Sequence, residues 1–176
     1  MTRTTAREIA VQLSFAMLSN SELTPEEFFS REYYDTLAEE CIFFEEYPNE
    51  RQLRYIRELA VGVVEHREEL DARIEQLSHA WRLSRISRTA AAVLRCAIYE
   101  ILYMPDVPNA AAINEAVELA KGYEDPETVS FINGILGGVV RSLNAETPDD
   151  PEITESALES VNSDAGESVE DTETRS

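Results

Sequence analysis

The chain has 176 residues, 43% of them apolar, enough for one domain or two small bundles and too much for wholesale disorder. Its formal charge of −20 is uneven: residues 145–176 hold 11 acids against Arg175 alone, while residues 1–144 hold 24 acids against 14 bases. An acidic body excludes tight non-specific nucleic-acid binding but leaves room for local basic patches. Cys41 and Cys96 are far apart and form no C-x-x-C pattern, so reduced thiols are expected rather than a disulfide framework. The N-terminus lacks the apolar run of a signal peptide, and no segment has the apolar length of a membrane span. A cytoplasmic protein with no membrane partner is expected. Few Gly and Pro among many helix formers predict an all-α fold.

In chain order, Ala6, Ile9, Ala10, Leu13 and Met17 place a helix over residues 5–18. Thr24-Pro25-Glu26-Glu27 is a helix start, with Thr as N-cap, Pro in the first position and Glu in the third. That helix is charged and short. Phe43, Phe44, Tyr47 and Pro48 predict an aromatic-anchored loop. Asn49 caps a helix with Leu53, Ile56, Ala60 and Val63 or Val64 on one face, and Gly62 within it marks a close helix contact. Leu70, Ile74 and Leu77 continue the period after a break near His66.

Residues 81–86 read as a connector, and Ser87 caps a helix running to about Tyr103. Met104-Pro105-Asp106-Val107-Pro108 ends it. The next helix runs to Lys121 and stops at Gly122; Asp125-Pro126 opens the last, which runs to about Leu143. From Ala145 onward Pro, Ser, Thr, Asp and Glu dominate. Ile153, Ala157, Leu158 and Val161 form only a weak stripe, and a disordered acidic tail is expected. The domain plan is therefore a helical body over 1–144 and a tail over 145–176.

No residues suggest catalysis. His66 and His79 sit on charged helical stretches away from any triad or metal pattern, and Cys96 reads as a buried, inert thiol in an apolar helix. Neither catalytic residues, metal ligands nor a cofactor are expected. A binding surface is the better reading. On the first helix Arg3 and Arg7 fall outside the apolar stripe, and Phe15 lies nearly opposite its centre. On the last helix Phe131 falls off the stripe, on the side of Gly134 and Gly138, where missing side chains let another backbone or a ligand approach. If the two helices are neighbours, Arg3, Arg7, Phe15 and Phe131 form a basic, aromatic surface suited to single-stranded RNA: guanidiniums on phosphates, rings on bases. The same spacing also fits an ordinary interface in which the two phenylalanines pack together.

The chain resembles the bacterial transcription antitermination family NusB. The resemblance is carried by Ala6-Arg7-Glu8-x-Ala10-Val11-Gln12, Leu59-Ala60-x-Gly62-Val63, Leu70-Asp71-x-x-Ile74 and Trp81-x-Leu83-x-Arg85-Ile86. It continues in Val93-Leu94-Arg95-x-Ala97-x-Tyr99-Glu100, Asp106-Val107-Pro108, Ile113-Asn114-Glu115-Ala116-Val117-Glu118-Leu119-Ala120-Lys121 and Phe131-Ile132-Asn133-Gly134. It covers about residues 4–143. It implies a NusB-like fold of two packed helical bundles, about seven helices in all. It also implies binding of boxA RNA in nascent ribosomal RNA transcripts together with the ribosomal protein NusE, within an antitermination complex on RNA polymerase. The RNA contacts it implies fall on Arg3, Arg7, Phe15 and Phe131. Two departures weaken that implication. The N-terminus carries two separated arginines where the family often has a run, and Ser130 stands where it often has Lys. A protein-only adaptor or homodimer of the same fold is therefore the alternative. The acidic tail lies outside the resemblance; its charge fits a plain solubility role, or a tail that folds back over the Arg3 and Arg7 surface as a competitor for RNA.

Overall fold

The computed structural model describes residues 1–20, 22–40, 46–78 and 85–146, and every regular element among them is a helix. In order these are α1 (Arg3–Ser19), α2 (Pro25–Phe28), α3 (Arg31–Glu40), α4 (Glu50–Glu65), α5 (Arg67–Leu77), α6 (Arg88–Tyr103), α7 (Asn109–Lys121) and α8 (Pro126–Glu146). The expectations for Cys41, His79, the connector at 81–84 and the disordered tail fall outside the described residues, as does most of the aromatic loop before Tyr47.

Local chemistry sets the helix ends. Thr24 accepts from the Glu27 amide while the Glu27 carboxylate takes the Thr24 amide, a reciprocal cap that starts α2. Asn49 and Gln52 do the same for α4. Ser87 Oγ accepts from the Ala90 amide at the head of α6, and Asp125 Oδ1 from the Thr128 amide at the head of α8. The helix after Thr24 is only four residues long. Ser30 then caps a second helix, its hydroxyl accepting from the Tyr33 amide, so α3 is an element the sequence reading did not separate. The break at His66 is real: its N–H still reaches the Gly62 carbonyl, and α5 starts at Arg67.

The core is organised on α6. Ten of its sixteen residues are buried, too many for one amphipathic face, so it packs on several sides at once. Its neighbours are α1, α4, α5, α7 and α8. On one side α1 and α4 lie along each other, with α2 leaning on α1. On the other, α8 packs on α5 and α7. Ile9, Leu13, Ile56, Leu59, Leu94, Ile98, Ile132 and Leu136 are fully buried in one contiguous cluster, each worth about 1.5–3 kcal/mol of burial. Gly62 is the close approach expected of it: the Tyr99 ring of α6 occupies the space a Cβ would fill.

Candidate nucleic-acid interface

At the head of α1, Thr2 caps the helix and leaves Arg3 exposed, its guanidinium 5.7 Å from the centroid of the Tyr55 ring on α4. Arg3, Asn49, Arg51, Gln52 and Tyr55 line a shallow groove of about 310 Å³. Arg51 and Arg54 are exposed on the same helix as Tyr55. Sequence reading missed both, because an arginine on a charged helix face carries no signal until its neighbour is known.

Arg7 requires a correction. Its spacing puts it off the apolar stripe, yet it is 2% exposed. Its Nε and Nη2 donate to Glu100 Oε2 and Oε1 at 2.9 and 2.8 Å, and Nη1 donates to Glu115 Oε2 at 3.3 Å. The Tyr55 hydroxyl donates to Glu100 Oε1 at 2.6 Å, and Thr4 Oγ1 to Glu115 Oε2 at 2.8 Å. The cause is Glu100, a fully buried carboxylate on α6 that needs a cation. Burial alone would lower the Arg7 pKa; the Glu100 hydrogen bonds and charge outweigh it and hold the guanidinium above its ordinary value. Burial, seconded by the Glu100 charge, raises the Tyr55 phenol. Arg7 therefore ties α1 to α6 and α7 and offers no free edge to a phosphate.

Phe15 is 37% exposed near the C-terminal end of α1, about 18 Å along the axis from Arg3 at 1.5 Å per residue. It forms the ridge between two clefts. One, of about 660 Å³, is lined by Arg67, Asp71 and Glu75 of α5 and by Arg88 and Arg95 of α6. Arg95 grips Asp71 with two bonds of 2.6 and 3.1 Å, and Arg67 Nε lies 3.7 Å from the same carboxylate. The other, of about 420 Å³, is largely apolar, with Val11, Ala16, Leu37, Ala92 and Leu119 in its wall. Residues 71 and 95 stood in the sequence motifs, but their pairing across two helices had no periodic signature.

On α8, Phe131 is half-buried against the core, while Ser130, Asn133 and Gly134 are exposed. The two glycines part company. A Cβ at Gly138 would lie 3.3 Å from Leu77 Cδ2, so Gly138 serves the α5–α8 contact. A Cβ at Gly134 would meet nothing within 4 Å among the described residues. The principal neighbours of α1 are α4 and α6, and those of α8 are α5, α6 and α7. Phe131 lines neither of the clefts at Phe15. Of the four expected contact residues, Arg3 and Phe15 stand about 18 Å apart along α1, Phe131 is half-buried on α8, and Arg7 lies beneath the surface.

Cys96 is buried, its thiol pushed up to about 12 by that burial. His66 is half-buried, its Nδ1 3.0 Å from the Gly62 carbonyl oxygen and its ring stacked obliquely on Tyr103. Among the described residues no three His, Cys, Asp or Glu side chains are grouped to hold a metal ion, and no helix is long and apolar enough to cross a membrane.

The model of the NusB family matches residues 4–141. The transcription antitermination protein NusB of Acetivibrio thermocellus is 42% identical over 142 residues, 80% of this chain and 90% of that one. The protein of the same name from Clostridium novyi is 35% identical over 143 residues, 81% of this chain and 100% of its own length. Among solved structures, T. maritima NusB superposes with a TM-score of 0.63 at 26% identity, covering 80% and 92% of the two chains. A structure of antitermination factors NusB and NusE in complex with double-stranded RNA gives 0.64 at 23% identity, covering 80% and 96%, and bears on the fold alone.

Proposed function

The chain belongs to the NusB family, and from that premise we propose that it is a transcription antitermination factor without catalytic activity. In this reading it binds single-stranded boxA RNA of nascent ribosomal RNA transcripts together with NusE and joins the antitermination complex on RNA polymerase in the cytoplasm. Residues 1–144 are the binding domain.

The observation that carries the RNA reading is the open ground at Gly134. A glycine inside a helix costs about 0.5–1 kcal/mol relative to alanine, and no packing among the described residues asks for it. It lies next to Asn133 and three residues from Phe131, where a base or sugar approaching the ring would need that space. Phe15 is the second stacking position and Arg3 a phosphate contact. Arg7 contributes by holding α1 against α6. Arg51, which lines the groove with Arg3, and Arg54, exposed on the same helix, are further phosphate contacts in this reading.

The test is a titration of boxA RNA with the chain and its NusE partner. Phe131→Ala and Phe15→Ala should each weaken binding by roughly 1–3 kcal/mol, the worth of a stacked base. A purified pair that prefers boxA to a scrambled RNA by nothing at moderate salt sinks the proposal. The burial of Arg7 favours a second reading, a protein-only adaptor or homodimer, because it leaves the N-terminus with one exposed arginine. Light scattering that shows a dimer indifferent to RNA would support that second reading.

A further inference from the structure

Four bases at the surface are held by an acid one turn away on their own helix: Arg31 by Asp35, Arg67 by Asp71, Arg73 by Glu69 and Lys121 by Glu118. With 35 acids against 15 lysines and arginines, such pairing is the expectation. Arg141 on α8 departs from it. The positions three and four residues to either side are Gly137, Gly138, Asn144 and Ala145, none of them an acid. Arg141 is exposed, and no ion pair reaches it among the described residues. It also lies before the last turn of α8, so the negative end of that helix does not account for it.

The side chain nevertheless has a definite place. Side chains on a helix lean toward its N-terminus, and Arg141 leans over Gly137. A Cβ at Gly137 would lie 3.2 Å from Arg141 Nη1 and 4.0 Å from Cζ. A side chain there would push the guanidinium outward; the glycine lets it lie close along the helix. Its charge then sits about one turn beyond Gly134 and about 9 Å along the axis from Phe131, at 1.5 Å per residue. At 100° per residue Phe131, Gly134, Gly137 and Arg141 fall within about 120° of one face of α8. Phe131 and Gly134 are the base and sugar positions of the proposed function. A strand that stacks a base on Phe131 and continues over Gly134 toward the end of the helix brings a phosphate to this guanidinium.

We propose that Arg141 takes a backbone phosphate of the bound RNA, beside the nucleotide stacked on Phe131, and that Gly137 seats the guanidinium for that contact. A guanidinium meets a phosphate with two parallel N–H bonds, and no carboxylate competes for this one among the described residues. The contact carries no sequence information; it fixes the path of the strand along α8. The inference rests on the proposed function, because it extends the same RNA track.

The test is a titration of boxA RNA with the full chain and its NusE partner at several salt concentrations. Added to Arg3, Arg51 and Arg54, a fourth contact takes the slope of log K against log salt from about −2 to about −2.8. Arg141→Ala should make the slope shallower by about 0.7, so that it gains about 2.6-fold less than the wild type between about 200 and 50 mM salt. Arg141→Lys keeps the charge and should keep the slope. The contact also has an address. In RNAs shortened one nucleotide at a time from either end, the difference between wild type and Arg141→Ala should vanish at one particular step. An unchanged slope in Arg141→Ala overturns the proposal. A difference that persists at every length that still binds reports charge at a distance and overturns it too. Loss of NusE binding without RNA in Arg141→Ala assigns the residue to the protein partner and overturns it as well. Binding that weakens in Phe131→Ala but not in Arg141→Ala leaves the proposed function standing without this contact, whereas a pair with no preference for boxA over scrambled RNA ends both.

Discussion

Arg7 and Glu100 show what single residues decide. A buried carboxylate without its cation is expensive, whereas removing both partners of a buried pair is often mild. Arg7→Met should therefore cost about 3–5 kcal/mol, and the double change with Glu100→Met much less than the sum of the two single changes. The urea midpoints of the three variants check this. Helical spacing missed Arg7 for a physical reason. The stripe counts apolar side chains, but α1 is walled by both α4 and α6, and the α6 wall carries Glu100 opposite Arg7. Cys96, by contrast, was legible, because an apolar helix buries its thiol whatever the topology. That burial has a sign. A thiol raised from 9.0 to about 12 stays protonated in the folded chain while the unfolded chain ionises. Its contribution is full below pH 9 and is lost as pH rises from there, at up to about 1.4 kcal/mol per pH unit. Tyr55 and Tyr34, also raised chiefly by burial, add to the loss above pH 10. Unfolding free energy measured from pH 8 to 11 should fall from about pH 9, and the early part of the fall should vanish in Cys96→Ala. A flat profile would contradict the burial argument.

At the scale of the element, capping chemistry was readable because it is local. Thr24, Asn49, Ser87 and Asp125 each satisfy the amide three residues on. The separate α3 was not readable, since Phe28 and Phe29 continue an apolar pattern across the Ser30 break. Glycines need the neighbouring element before their meaning is fixed, and two of them now predict opposite outcomes. Gly62→Ala drives a Cβ into the Tyr99 ring, which is itself wedged near His66. It should destabilise by about 1–3 kcal/mol, the usual range for an overpacked core. Gly134→Ala enters open space on α8 and should stabilise by about 0.5–1 kcal/mol. Thermal melts would show the two shifts in opposite directions. In the RNA titration Gly134→Ala should nevertheless weaken binding. A variant that is both more stable and equally tight would remove the reason for a glycine there.

For the whole molecule, the family and the all-helical fold followed from ordered motifs spread over the chain, because packing on a central helix leaves its mark at every contact. The distribution of charge did not follow, since sequence cannot say which arginines face water. That distribution has a measurable consequence. For single strands log K falls with log salt at about 0.7 per phosphate neutralised. If Arg3, Arg51 and Arg54 are the contacts, the slope for the chain should be about −2, shallow for an RNA binder. Arg3→Ala should make it shallower by about 0.7. Arg7→Lys, held beneath the surface by Glu100, should change stability and leave the slope where it was. A slope that drops on altering Arg7 would mean that the guanidinium leaves Glu100 for a phosphate. The buried pair would then be the resting state of a contact residue rather than a fixed brace.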